Sequence, residues 1–231
     1  MKISNDIDNC RHCVFRNLLF SNLNDEEYQM INNARTEYIY MRGEMIKKEG
    51  EKINSFLYMR KGLVKLYKTN KTGKDQILSI NKPGDFINLL NIFSKSTYKY
   101  SIATLEETLV CDVKLDALFK VIEQNSALSF SILSRISKIS DEVIENRFSL
   151  AQKQIKGRVA HILLFLSENI YRNPKFKMPI TRREVGELIS MTTENTIRTF
   201  SEFNNDGIIA IDGKNITILD MNRLRNIDKT G

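Results

Sequence analysis

The chain has 231 residues, and its 35 Lys and Arg against 28 Asp and Glu give a formal charge of +7. A composition of 42% hydrophobic and 27% charged residues is that of an ordinary globular protein and excludes disordered and fibrous classes. The longest apolar run, Ile162 to Leu166, falls far short of the roughly 20 residues that span a bilayer. Met1 to Asn9 lacks the apolar stretch of an export signal, and three cysteines, an odd number, argue against a disulfide framework. A cytoplasmic protein without a membrane segment is expected.

Residues 37 to 112 read as short β-prone runs punctuated by Gly43, Gly50, Gly62, Gly73 and Gly84. Phe56 to Met59, Leu63 to Tyr67 and Gln76 to Ile80 each close on a glycine-supported turn, which predicts an antiparallel sandwich or barrel. After a last strand near Thr108 to Val113 the apolar period changes from two to about 3.6. Ser126 to Gln152 holds no Gly or Pro, and Ile132, Ile136, Ile139, Val143, Asn146 and Leu150 repeat there at heptad spacing. Such a seam fits either a helix packed on its own barrel or a parallel coil of two chains, with Leu128 and Leu133 off the seam and free to face the barrel. Gly157 is the expected hinge, and a second amphipathic helix should run from Arg158 to Tyr171, stopped by Asn173-Pro174.

The remainder predicts a short helix from Arg182 to Ile189, a break at Ser190-Met191-Thr192, and a helix from Thr193 to about Asn205. Two alternating runs, Ile208 to Ile211 and Asn215 to Leu219, flank Asp212-Gly213 and predict a hairpin. Helix, tight turn, helix and hairpin make a winged helix-turn-helix, whose second helix enters the major groove of DNA. Thr192 is the expected N-cap, with Ile197 and Phe200 facing inward. Thr193, Glu194, Asn195 and Arg198 are left for bases: Glu accepts from cytosine and Arg forks onto guanine. Glu194 and Arg198 could equally form an i,i+4 surface pair.

Barrels of double-stranded helix type also host metal enzymes, whose sites need histidines with a carboxylate. Residues 20 to 112 contain no histidine, and no nucleophile elbow, P-loop or dinucleotide fingerprint occurs. An enzyme is therefore not expected. His161 lies in the apolar pattern of its helix and reads as a packing residue rather than a haem ligand.

From about Phe20 to Asn226 the sequence resembles the CRP/FNR transcriptional regulators. The likeness is carried by Lys82 to Ile87, Thr181 to Gly186, Thr192 to Arg198 and the wing Asp212 to Ile218. It implies an α+β chain: an N-terminal double-stranded β-helix (jelly-roll-like) barrel, a long dimerisation helix, and a winged helix-turn-helix. Residues 1–115 would form the sensor, 116–155 the dimerisation helix and hinge, and 156–231 the DNA-binding domain. The resemblance places Glu194 and Arg198 on the base-reading positions and Lys214 in a wing that contacts phosphate. It further implies a homodimer on a palindromic operator, RNA polymerase as a partner, and a signal acting at the barrel.

In members that bind cyclic nucleotides, a Glu holds the ribose and an Arg-Ser pair the phosphate. Leu89 and Lys99-Tyr100 occupy those positions here, so cyclic AMP is not the expected effector, and Leu89, Lys99 and Tyr100 mark the candidate effector pocket. The oxygen-sensing branch implies an iron-sulfur cluster, for which Cys10, Cys13 and Cys111 are candidate ligands, completed by His12 or Asp8 because Leu19 cannot ligate. The alternatives kept open are such a redox sensor and a ligand-binding barrel that does not bind DNA.

Overall fold

The computed structural model describes residues 1–3, 19–71, 73–94 and 96–231. It groups into two compact units, residues 1–68 with 78–142, and residues 69–77 with 143–231. No helix among the described residues is long and apolar enough to cross a membrane.

The first unit is built on two four-stranded sheets. One has the order β1 (Lys2–Ile3), β2 (Arg35–Tyr40), β8 (Thr108–Lys114), β4 (Ser55–Lys61); the other has the order β3 (Met45–Lys47), β7 (Ser101–Thr104), β5 (Val64–Thr69), β6 (Asp75–Asn81). The pairings β2 to β8, β4 to β8 and β5 to β7 are antiparallel, as the regular turns predicted. Strands β3 and β7, of three and four residues, and β2, whose six residues lack alternation, were not individually legible. Helix α1 (Asp25–Asn33) opens with a full capping box: Asn24 Oδ1 accepts from Glu27 N, and Glu27 Oε2 accepts from Asn24 N, each at 2.9 Å.

Phe56, Met59, Val64, Ile102, Val121 and Leu128 are almost wholly buried in this unit, with Phe56 stacked on Phe86 at 5.6 Å between ring centroids. Asn88, fully buried, spans the barrel wall. It accepts from Leu57 N at 2.9 Å and donates to Ser55 O at 2.8 Å and Tyr98 Oη at 3.1 Å. A buried amide left unbonded costs about 1–3 kcal/mol, so these three bonds fix the segment carrying it.

Helix α2 (Leu115–Gln124) leads into α3 (Ser126–Gln152), which contains the whole run of heptad-spaced residues. The heptad seam divides. Ile132 is only 4% exposed and lies in the barrel's core cluster, against which Ile136 and Ile139 pack half-buried. Ile132 is thus spent within its own chain and cannot face a second one, a correction to its expected role. Val143 and Asn146 are exposed and Leu150 half-buried. Leu128 packs on the barrel as expected, whereas Leu133 points away from it and is exposed.

The second unit begins after a break at Lys153-Gln154 with α4 (Ile155–Leu164), continued by a π-helical turn (Phe165–Tyr171). The break precedes Gly157, which sits inside α4. Its role is close approach: a Cβ there would collide with the carbonyl of Gly231. His161 Nδ1 lies 3.2 Å from Asp228 Oδ1, which also pairs with Lys153 Nζ at 2.9 Å, a structural role for this histidine. Helices α5 (Arg182–Leu188) and α6 (Thr193–Asn205) precede the hairpin β10 (Ile209–Asp212) and β11 (Asn215–Ile218). Strand β9 (Lys175–Lys177) adds to β11, and α7 (Met221–Thr230) follows; neither was read from the sequence.

Candidate nucleic-acid interface

Helix α5 starts on a capping box in which Thr181 Oγ1 accepts from Glu184 N at 3.2 Å and Glu184 Oε2 accepts from Thr181 N at 2.8 Å. It ends at Ile189, and the chain reverses through Ser190 at φ +56°. The turn is tight: Met191 N donates to Gly186 O at 2.8 Å. A Cβ on Gly186 would stand 2.9 Å from Met191 O and 3.0 Å from Thr196 Oγ1, so glycine permits the two helices to meet this closely.

Thr192 then caps α6, its side chain accepting from Asn195 N at 3.2 Å, as expected. Thr196, Thr199, Phe200 and Phe203 form the buried face of this helix. The Thr196 and Thr199 hydroxyls donate to the carbonyls of Thr192 and Asn195, each at 2.9 Å, which makes their burial tolerable. Arg182 lies over the Phe200 ring at 3.7 Å, and burial pulls its guanidinium down to about 10.

The opposite face is open. Glu194 and Arg198 are exposed, and Thr192, Thr193 and Asn195 line the same end of the helix. Arg198 and Glu194 do not pair. Arg198 Nη2 donates to Asn195 Oδ1 at 3.1 Å, and its Nε lies 3.8 Å from Glu202 Oε1. Glu202 also pairs with Lys156 Nζ at 2.9 Å, an interaction that holds its carboxyl below the usual range. Glu194 therefore keeps both oxygens available as acceptors. Ile197, expected inside, is 49% exposed: threonines hold the adjacent buried positions, and the helix is turned accordingly. Lys214 is exposed at the tip of the hairpin, beside Gly213 at φ +57°. Lys175 and Lys177, on the neighbouring strand, are exposed as well, a basic pair that three residues of sequence did not advertise.

Of the candidate effector residues, Leu89 lies in the barrel's core cluster and Tyr100 packs against that cluster. Tyr100 is half-buried, and its hydroxyl donates to Ile87 O at 3.0 Å; burial raises this hydroxyl to about 12. Lys99 is exposed. A cavity of about 400 Å³ lies elsewhere, in the second unit, lined by Ser167, Glu168, Arg172 and Arg225 among others.

Of the candidate cluster ligands, Cys10 and Cys13 lie outside the described residues, as do His12 and Asp8. Cys111 is buried on β8, opposite Glu37 of β2. Glu37 Oε1 accepts from Arg35 Nη1 at 2.6 Å and Arg60 Nη1 at 2.8 Å, and the Cys111 thiol donates to the same oxygen at 3.5 Å. Burial first, then the Glu37 charge, pushes that thiol well above its usual range. A cluster binds thiolate, and at Cys111 a thiolate would stand beside the Glu37 carboxylate. Among the described residues no group of three or more His, Cys, Asp or Glu could hold a metal ion.

The chain matches a family model for a cyclic nucleotide-binding domain over residues 39–125 and one for a Crp-like helix-turn-helix domain over residues 157–227. It is 27% identical to an anaerobic regulatory protein of Haemophilus influenzae, with 96% of this chain and 88% of that protein covered. To the transcriptional activator protein anr of Pseudomonas aeruginosa it is 26% identical, with 78% and 75% covered. FixK2 from Bradyrhizobium japonicum shares the fold, with a TM-score of 0.76, 24% identity, and coverage of 85% of this chain and 98% of that one. Sensor-type barrel, long helix and winged helix-turn-helix thus occur in the order expected, and the chain belongs to the CRP/FNR family of DNA-binding transcription regulators.

Proposed function

We propose that this regulator reads a palindromic operator as a homodimer in the cytoplasm, with residues 1–115 sensing, 116–155 assembling and 156–231 reading DNA. In that reading Thr192, Thr193, Glu194, Asn195 and Arg198 face the major groove, and Lys214 touches phosphate beside it. The observation that carries it is the open polar face of α6, where Glu194 is unpaired and Arg198 is held by Asn195. An acceptor and a fork of donors suit a C·G step. Two such helices, set about 34 Å apart by a dimer, reach successive major grooves on one side of the duplex.

For assembly, the exposed stripe of α3 is the supporting feature. Phe130 (74% exposed), Leu133, Ile144 and Phe148 recur at helical spacing on a face the barrel does not cover. A second copy of α3 would remove this surface from water. The barrel signal then acts by shifting how the paired helices pack, which re-aims the two copies of α6; RNA polymerase is the expected downstream partner.

The test is operator selection from random duplexes by the full-length protein, followed by affinity measurement with Arg198→Ala. A loss of about 1–3 kcal/mol on the selected site with little change on random DNA is expected. Equal losses on both would make Arg198 a phosphate contact and overturn the reading.

A further inference from the structure

The direction in which α4 leaves α3 is set at Lys153-Gln154, and no local device fixes it. Residues 150 to 156 include neither Gly nor Pro. Gln154 is extended (φ −74°, ψ 178°), and its side chain makes no capping bond. A break without a cap or a restricted residue keeps two soft torsions per residue, so bonds from elsewhere must hold it. Arg158 supplies the first of them. Its Nε donates to Lys153 O at 2.9 Å, and its Nη1 donates to Ile189 O at 3.4 Å and Ser190 O at 3.3 Å. Ile189 and Ser190 form the turn from which α6 starts, so one planar guanidinium, with donors in fixed directions, ties the break to that turn.

The last helix grips the same residue from the other side. Lys153 Nζ lies 2.9 Å from Asp228 Oδ1 of α7 and also donates to the Asp228 carbonyl. That Oδ1 stands 3.2 Å from His161 Nδ1 of α4, and the end of α7 runs so close to α4 that a Cβ on Gly157 would collide with Gly231. The Lys153 and Asp228 side chains are only 12% and 22% exposed. Removing the carboxylate would leave a shielded ammonium without its counter-ion, a larger loss than at an exposed pair. All these groups belong to the second unit.

We propose that Asp228 is a positioning residue: by holding Lys153 it fixes the break, and through Arg158 the aim of α6, so that the recognition helices of a dimer keep one separation. This role rests on the palindromic reading above and involves no contact with DNA. A geometry fixed beforehand needs no ordering on binding. Each base pair added between half-sites moves one of them by about 3.4 Å and roughly a tenth of a turn. A stiff break therefore accepts one spacing, and a loosened break accepts several.

The experiment uses the selected half-site as an inverted repeat, at the selected spacing and with one base pair added or removed. Affinities are measured for the full-length wild type, Asp228→Ala and Lys153→Met. The wild type should prefer the selected spacing at least about tenfold, and both variants should narrow that ratio to about threefold or less. The half-site sequence they select should stay the same, and Asp228→Glu, which keeps the carboxylate, should retain most of the wild-type ratio. A merely structural loss weakens binding by one factor at every spacing. An unchanged ratio in both variants would therefore overturn the role of Asp228 and leave the palindromic reading standing, as would a changed half-site sequence. A wild type indifferent to spacing overturns the palindromic reading and this role with it. Should Asp228→Ala fail to fold, Lys153→Met, whose stem fills the same space, carries the test.

Discussion

The long helix α3 and the recognition helix α6 each bury one face and leave another open, but the open faces differ in kind. On α3 the free surface includes large hydrocarbon groups, with Phe130, Leu133, Ile144 and Phe148 exposed around Ser137 and Asp141 while Leu128 and Ile132 fill the barrel core. On α6 it is polar, with Glu194, Arg198 and Ser201 around the single aliphatic Ile197. Apolar area left in water is relieved by another protein surface, whereas unpaired acceptors and forked donors are matched by base edges. The chemistry of what the chain leaves uncovered thus separates the assembly surface from the reading surface.

The comparison breaks most directly on α3. Leu133→Glu with Ile144→Glu should give monomers in analytical ultracentrifugation and lower operator affinity at least about a hundredfold, since the second half-site contact becomes independent. Dimers that persist would remove α3's outer face from the interface. On the same helix, Ile132→Ala should leave the association state unchanged and cost about 2–4 kcal/mol of unfolding free energy in urea titrations. Monomers from that variant would restore the full heptad seam as the interface.

A smaller effect tests the barrel wall. The native state holds Cys111 as a buried thiol whose pKa is raised, so stability is full below the unfolded value and falls as pH rises beyond it. Between about pH 8.5 and 10 the wild type should lose up to about 1.4 kcal/mol per pH unit through this group. Cys111→Ala should lose less over the same range; identical slopes would mean the thiolate is tolerated there. The smallest effect belongs to the wing. Lys214→Ala should weaken binding a few-fold on every sequence and reduce the salt slope by about one, whereas a sequence-dependent loss would move Lys214 to the base-reading set.

Much of this organisation was legible in the residues. The heptad spacing from Ile132 to Leu150 marked the body of α3, and Thr192 announced the start of α6 because its side chain can cap a helix locally. The hairpin around Asp212-Gly213 was legible for the same reason, a turn chemistry confined to neighbours in sequence. Strand β9, with three residues, and α7, with a polar composition, carried too little periodicity to read.

Local chemistry therefore determined the element boundaries, their order and the helix-turn-helix with its exposed end. Tertiary structure decided which stripe of each helix turned inward. The period of 3.6 allowed α3 to bury either the Ile132 or the Leu133 side, and allowed α6 to bury Ile197 or Thr196. The shape of the barrel settled the first choice, and the close approach at Gly186 settled the second. The same holds for Cys111, whose neighbours Glu37, Arg35 and Arg60 come from strands far apart in sequence. A side chain's partners across a sheet or between helices are set by register and packing, which no window of neighbouring residues encodes.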